Sequence, residues 1–319
     1  MNAGQSYSRQ RQADRKLAPS PGFRRIHLIL LIVMNCLWAA SYSSFKALPS
    51  SLDAGEVATL RFAIASAVLL VCWPVLPGFA PRGRDLVKAM VMGVIVFVIG
   101  PRLQVAGVRM GRAADASVLV AVDPLIVSVA AAVFLREHIG PRRWIGFILG
   151  VVGTVLLAEV WRPGFHLPDL TANVLIILSF LCDAAYSVIG KPLLGRAGMA
   201  KVLATALIAG TIVNLLLDGL PTVRAAVALN WTAWLVLGYL SLICTVVGFW
   251  LWFAVIREAP VNVAALTVLI QPVAGVAVAV TWLGESFHWG QLWGCLVILA
   301  GLIVGLQRQV QSGHENTRI

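Results

Sequence analysis

The chain has 319 residues, of which 59% are hydrophobic and only 12% charged, with a net charge of +11. Soluble globular domains carry about 25% charged residues, so a fold in water would leave far too much apolar surface uncovered. A positive excess of this size in a soluble protein would suggest nucleic acid, but the placement of the charges assigns it to membrane topology, and no nucleic-acid partner is expected.

Residues 1–23 are polar, basic and rich in Gln, Ser and Pro, and read as a disordered cytoplasmic tail. The run Arg24–Ala40 has the basic start and apolar core of a signal peptide. It is read as a retained span, because it has a counterpart well inside the chain. Long apolar stretches such as LVKAMVMGVIVFVIG and GCLVILAGLIVGL then recur, each ended by a polar or Gly/Pro break. They are apolar all round rather than alternating, which selects helices over a barrel as the spanning element. At about 20 residues per crossing, spans are predicted at 26–48, 55–76, 87–108, 114–135, 143–161, 170–190, 200–218, 231–254, 261–283 and 289–307, with 308–319 a second cytoplasmic tail. With both termini inside, 18 of the 25 Lys and Arg residues fall in inner loops and tails, and only Arg109, Arg112, Arg162 and Arg224 fall outside. That is the asymmetry of the positive-inside rule.

The chain also repeats. Shifted by 148 residues, 100–153 lies on 248–301 without a gap, with Pro124/Pro272, Glu137/Glu285, Arg109/Arg257, Gly146/Gly294 and Gly153/Gly301 among 12 identities. SYSSFKAL (41–48) matches AYSVIGKPL (185–193) with one inserted residue, which supplies the counterpart of the first span. Five helices per copy is an odd number, so the second copy enters the membrane upside down. The predicted fold is all-α and membrane-integral: two inverted five-helix repeats, at 24–161 and 170–307, with a solute site where they meet.

The pattern Pro124…Leu135-x-Glu137…Gly146…Gly153 and its copy Pro272…Leu283-Gly284-Glu285…Gly294…Gly301, with Trp38-Ala-Ala-Ser and Leu60-Arg-Phe, resembles the drug/metabolite transporter superfamily, specifically the EamA-type ten-helix carriers. The resemblance covers roughly 25–308 and is strong for the family but weak for substrate. One departure is Arg136 before Glu137, where the family favours Gly. The resemblance implies an exporter of amino acids or related organic solutes in the bacterial inner membrane, or alternatively of drug-like or nucleoside-type solutes.

Ionisable groups deep in a membrane are costly and mark functional sites. Arg102 follows Gly100-Pro101 in mid-span three and is a candidate for a solute carboxylate, with Asp123 or Asp115 as its resting partner. Asp123 precedes Pro124 as Gln271 precedes Pro272, and Asp123 is a candidate proton site. Asp183 and Tyr186 lie one turn apart on one face of span six, as do Trp38 and Tyr42 in span one, and Trp250 is deep in span eight. The predicted solute-binding set is thus Trp38, Tyr42, Arg102, Asp123, Asp183, Tyr186, Trp250 and Gln271. Arg61 is read as a packing anchor, and Glu137 and Glu285 as turn caps.

The five histidines are scattered, no HExxH, nucleophile elbow or phosphate loop is present, and the five cysteines lack metal or redox spacing. No catalytic residue, metal or cofactor is expected, and a membrane enzyme is the disfavoured class. The expected partners are a small solute, the bilayer and protons as a candidate coupling ion. Small-residue spacings such as Gly146-x-x-x-Gly150 and Gly290-x-x-x-Gly294 permit close packing, within a monomer or between the copies of a homodimer.

Overall fold

The computed structural model describes residues 25–46, 48–49, 51–110, 122–157, 170–282 and 289–315. These residues form helices joined by short turns, with no strand among them. We label them α1 (Arg25–Lys46), α2 (Ala54–Val71), α3 (residues 84–110), α4 (Asp123–Leu135), α5 (Pro141–Leu157), α6 (Leu170–Leu194), α7 (Met199–Val227), α8 (Trp231–Glu258), α9 (residues 261–282) and α10 (Trp289–Glu315). Six helices of the described residues are long and apolar enough to cross a membrane, and Arg25–Ser41, Asp123–Leu135 and Val261–Ala277 are shorter apolar helices. Where both are described, the sequence boundaries fit these helices to within about five residues, with two differences: the last helix runs past residue 307 to Glu315, and the seventh is longer than expected. The seventh helix does not stop near residue 218 but continues through Pro221 to Val227. The tail residues 1–23, Asp115, Glu285 and the side chain of Tyr42 lie outside what is described.

Local chemistry sets several helix ends. Asp53 starts α2 as a capping box, its amide donating to Glu56 Oε2 at 2.7 Å. Asn230 caps α8 by accepting from the Ala233 amide at 2.9 Å. At the end of α4, Arg136 has φ 56°, in the left-handed region that favours glycine. The departure from the Gly-Glu pattern noted in the sequence therefore falls where an L side chain costs about 1–2 kcal/mol.

Lipid is as apolar as leucine, so close packing rather than hydrophobic burial holds such helices together. The α5–α10 pair shows how. A Cβ added at Gly146 would stand 2.9 Å from the Gly301 carbonyl oxygen, and one at Gly153 would stand 2.8 Å from that of Gly294. The two helices are thus antiparallel, with backbone against backbone. The contact pairs 146/301 and 153/294 exchange into one another under the 148-residue shift. These glycines pack within the chain. Elsewhere α2 lies along α7, α3 against α6 and α7, α4 between α6 and α9, and α1 against α8 and α9.

Both third helices of the sequence repeat carry a π-helical segment, Ile95–Ile99 in α3 and Tyr239–Val247 in α8. Ile95–Ile99 shifted by 148 residues falls on 243–247, inside the second segment, and each segment runs directly into a glycine, Gly100 or Gly248. A π turn shifts the backbone register and frees carbonyls inside the bundle. Those carbonyls define the candidate site.

Candidate functional site

In α3, Pro101 has no amide hydrogen to offer the Phe97 carbonyl. Asn214 Nδ2 of α7 donates to that oxygen instead, at 2.9 Å. Arg102 donates to the next carbonyl, Val98 O, at 3.1 Å, and to Asn214 Oδ1, and it forms an ion pair with Asp218 of α7. Gly55 makes room for that pair, because a Cβ there would stand 2.7 Å from the Asp218 carboxylate. Of the two resting partners expected for Arg102, Asp115 lies outside the described residues, and the ion pair the structure gives is with Asp218 rather than Asp123. The sequence reading missed this because it ended span seven at residue 218, making Asp218 a loop residue rather than one turn of a continuing helix.

The π segment of α8 is held in the same way. Arg61 Nε of α2 donates to Leu240 O at 3.2 Å and to Thr245 Oγ1 at 2.7 Å. Trp38 Nε1 of α1 donates to Cys244 O at 2.8 Å, and Tyr239 hydroxyl donates to Leu37 O at 2.7 Å. Gly248 is needed here, since its missing Cβ is the space that the Trp38 indole occupies. In each half the second helix thus caps the π segment of the third helix of the other half. A guanidinium at the centre of a bilayer costs at least about 2.5 kcal/mol, so both arginines must face polar groups.

Facing Arg61 is α6. Its inward face, Ile176, Ser179, Phe180, Tyr186, Ser187 and Gly190, is buried, yet Asp183 on that same face is exposed. The bundle is open at Asp183. Arg61 and Asp183 lie within electrostatic reach of each other, and Asp183 and Asp123 of α4 likewise. Asp123 Oδ1 is buried without a hydrogen-bond partner. Its repeat mate Gln271 is differently placed: Gln271 Nε2 donates to Asn35 Oδ1 at 2.9 Å, and Asn35 donates to Thr267 Oγ1 at 3.1 Å. One half satisfies this position with an amide bridge between α1 and α9; the other leaves a carboxylate oxygen unmatched.

An aromatic wall borders these groups. Tyr186 stacks on Phe253 at 4.1 Å between centroids and meets Phe249 edge-on at 4.9 Å, and Trp38 lies 5.6 Å from Phe249. Tyr186 hydroxyl donates to Phe249 O at 3.1 Å. Trp250 is not part of this wall. It lies on the exposed stripe of α8 with Leu242, Val247 and Arg257, while Phe249, Trp252 and Phe253 point inward.

The EamA-like transporter family model matches this chain twice, over residues 25–158 and 170–306. The chain belongs to the EamA-like transporter family. It is similar to a probable terminal-alkyne amino-acid exporter of Streptantibioticus cattleyicolor, at 31% identity over 80% of this chain and 84% of that protein. A probable amino-acid metabolite efflux pump of Salmonella typhimurium is 25% identical over 88% of this chain and 93% of the pump. A solved crystal structure shares the fold with a TM-score of 0.71 at 16% identity, covering 89% of this chain and 96% of that one. This EamA-like transporter is accordingly an integral membrane protein that handles a small-molecule solute.

At one end of the transporter the α4–α5, α6–α7 and α8–α9 turns are tied together. Lys191 Nζ donates to Glu137 Oε1 and to Ala259 O, at 2.8 and 2.7 Å. Glu137 also accepts from the amides of Val261 and Asn262 at 3.0 and 3.3 Å, and from Asn262 Nδ2 at 3.0 Å. Glu137 is thus a cap, as its position at a span end suggests, but the helix it caps is α9 in the other half. Arg143 bonds Asn262, and His27 meets Glu258 at 3.2 Å.

Proposed function

We propose that this protein exports amino acids or closely related organic solutes by alternating access between two inverted five-helix repeats, with both termini cytoplasmic. The single observation that carries the reading is that equivalent contacts recur between the halves: Gly146 against Gly301 and Gly153 against Gly294, which the repeat exchanges, with two π segments at the same repeat position, each capped from the opposite half. Two halves related in this way have near-equivalent packings open to either side. The Glu137–Lys191–Asn262 network would close the cytoplasmic end in the state seen here and would part when the carrier opens inward. The solute site would be the opening at Asp183, bordered by Trp38, Tyr186 and Asp123, with protons as the coupling ion at the two aspartates. The names of the amino-acid exporters among its relatives support the substrate class.

The test is counterflow in proteoliposomes containing the purified carrier, with a panel of amino acids, organic acids and lipophilic cations, with and without a pH gradient. Saturable amino-acid exchange that responds to the gradient is the expected result. Exchange of lipophilic cations alone would replace the amino-acid reading with drug export.

A further inference from the structure

We infer that Arg61, Asp183 and Asp123 form a zwitterion-recognition site, in which Arg61 takes the carboxylate of the solute and Asp183 its ammonium group. The inference rests on the amino-acid exporter reading and deepens it, by naming the groups that distinguish an α-amino acid from an organic acid or a lipophilic amine.

The geometry assigns these roles as follows. Arg102 already serves Val98 O, Asn214 and Asp218, and so works as a clamp between α3 and α7. Arg61 is held through Nε, by Leu240 O and Thr245 Oγ1. That fixes the plane of a guanidinium whose fork matches a carboxylate in bidentate geometry. A solute carboxylate competes for the fork with the acidic groups beside it. Within electrostatic reach of Arg61, Asp183 is the exposed member of the inward face of α6. Within reach of Asp183 in turn, Asp123 Oδ1 is buried and unmatched. A carboxylate oxygen buried in that way calls for a donor, and an ammonium group carries three.

The three head groups use different members of the site. A zwitterion sets its carboxylate against the guanidinium and its ammonium against the aspartates, whereas an acid engages only the guanidinium and an amine only the aspartates. Trp38 donates to Cys244 O, the residue next to the Thr245 that holds Arg61. The aromatic wall and the guanidinium therefore share an anchor on α8, which places an apolar or aromatic solute side chain beside the zwitterion head.

The experiment is titration calorimetry of the purified full-length carrier with L-phenylalanine, 3-phenylpropionate and 2-phenylethylamine, which share a ring and differ only in the head group. The wild type should bind L-phenylalanine roughly 10- to 100-fold more tightly than either analogue, the range for a charge-assisted hydrogen bond. Arg61→Gln should erase the advantage over phenylethylamine and keep that over phenylpropionate, and Asp183→Asn should do the reverse. Because Arg61 also braces α8, Arg61→Lys and Thr245→Val serve as milder variants. Both should weaken L-phenylalanine binding several-fold and leave phenylethylamine binding unchanged. Equal binding of all three compounds by the wild type would overturn the inference while leaving amino-acid transport standing. So would an unchanged head-group preference in the Arg61 and Asp183 variants. Binding of none of the three, together with no amino acid exchanged in the counterflow panel, would instead remove the amino-acid reading itself.

Discussion

Replacing Gly153 by Ala should destabilise the carrier, while the same change at Gly275 should not. Both glycines are inside helices, so both substitutions gain the same propensity, about 1 kcal/mol in favour of Ala. They differ in what the new methyl meets. At Gly153 it would stand 2.7 Å from Ile298 Cγ1 and 2.8 Å from both Gly294 O and Ile298 N, whereas at Gly275 nothing lies within 4 Å. Ordinary contact begins near 3.5 Å, so α5 and α10 would have to part by roughly 0.7 Å, and two of the three obstacles are backbone atoms that cannot rotate away. Overpacking of this kind costs about 1–3 kcal/mol, and the propensity term cancels in the comparison. The two variants should therefore differ by that amount, or roughly 2–8 °C in midpoint, when unfolding is followed by tryptophan fluorescence in detergent. Equal midpoints would refute the backbone-to-backbone packing of the two helices, and with it the repeat-mate contacts from which the inverted arrangement is argued.

Other outcomes follow from the same contacts. Arg136→Gly should raise stability by about 0.5–1 kcal/mol in the same unfolding assay, since a left-handed arginine is replaced by the residue that adopts that conformation freely. Arg102→Gln and Asp218→Asn should each cost about 1.5–3 kcal/mol, with less than additive loss in the double variant; a double-mutant cycle that sums would show that the pair does not interact. Gly248→Ala should displace the Trp38 indole from Cys244 O, seen as a shift in the emission of a variant retaining Trp38 alone, and an unchanged spectrum would place Trp38 elsewhere. Glu137→Gln should speed maleimide labelling of a cysteine placed at position 261, which is buried, several-fold by loosening the capped end of α9, and unaltered labelling would show that Glu137 does not hold that end closed.

Composition and internal duplication alone settle which solvent surrounds the helices and that the chain repeats. A composition of 59% hydrophobic residues, arranged in stretches long enough to cross hydrocarbon, admits only internally hydrogen-bonded helices. Pro124/Pro272 and Gly153/Gly301 exposed the duplication because proline and glycine mark backbone constraints that apolar drift does not reproduce. Asp183 and Tyr186 could be placed on one face by helical spacing alone, and the structure puts that face inward. Partners across the bundle could not be read in this way, because they depend on which helices are neighbours and at what register. Arg102 was given Asp123 or Asp115 of the next span, yet α7, more than a hundred residues later, supplies Asn214 and Asp218. Arg61 obeyed the same rule that singled out Arg102, an ion within a span, but its place beside Asp183 depends on a π segment in α8 that no periodicity in the sequence announces. Trp250 and Phe249 are adjacent in the chain and point about 100° apart on the helix, and the π turn before them shifts the register that sets which of the two faces inward. Local chemistry fixed the helices; the register of their packing decided which charges meet.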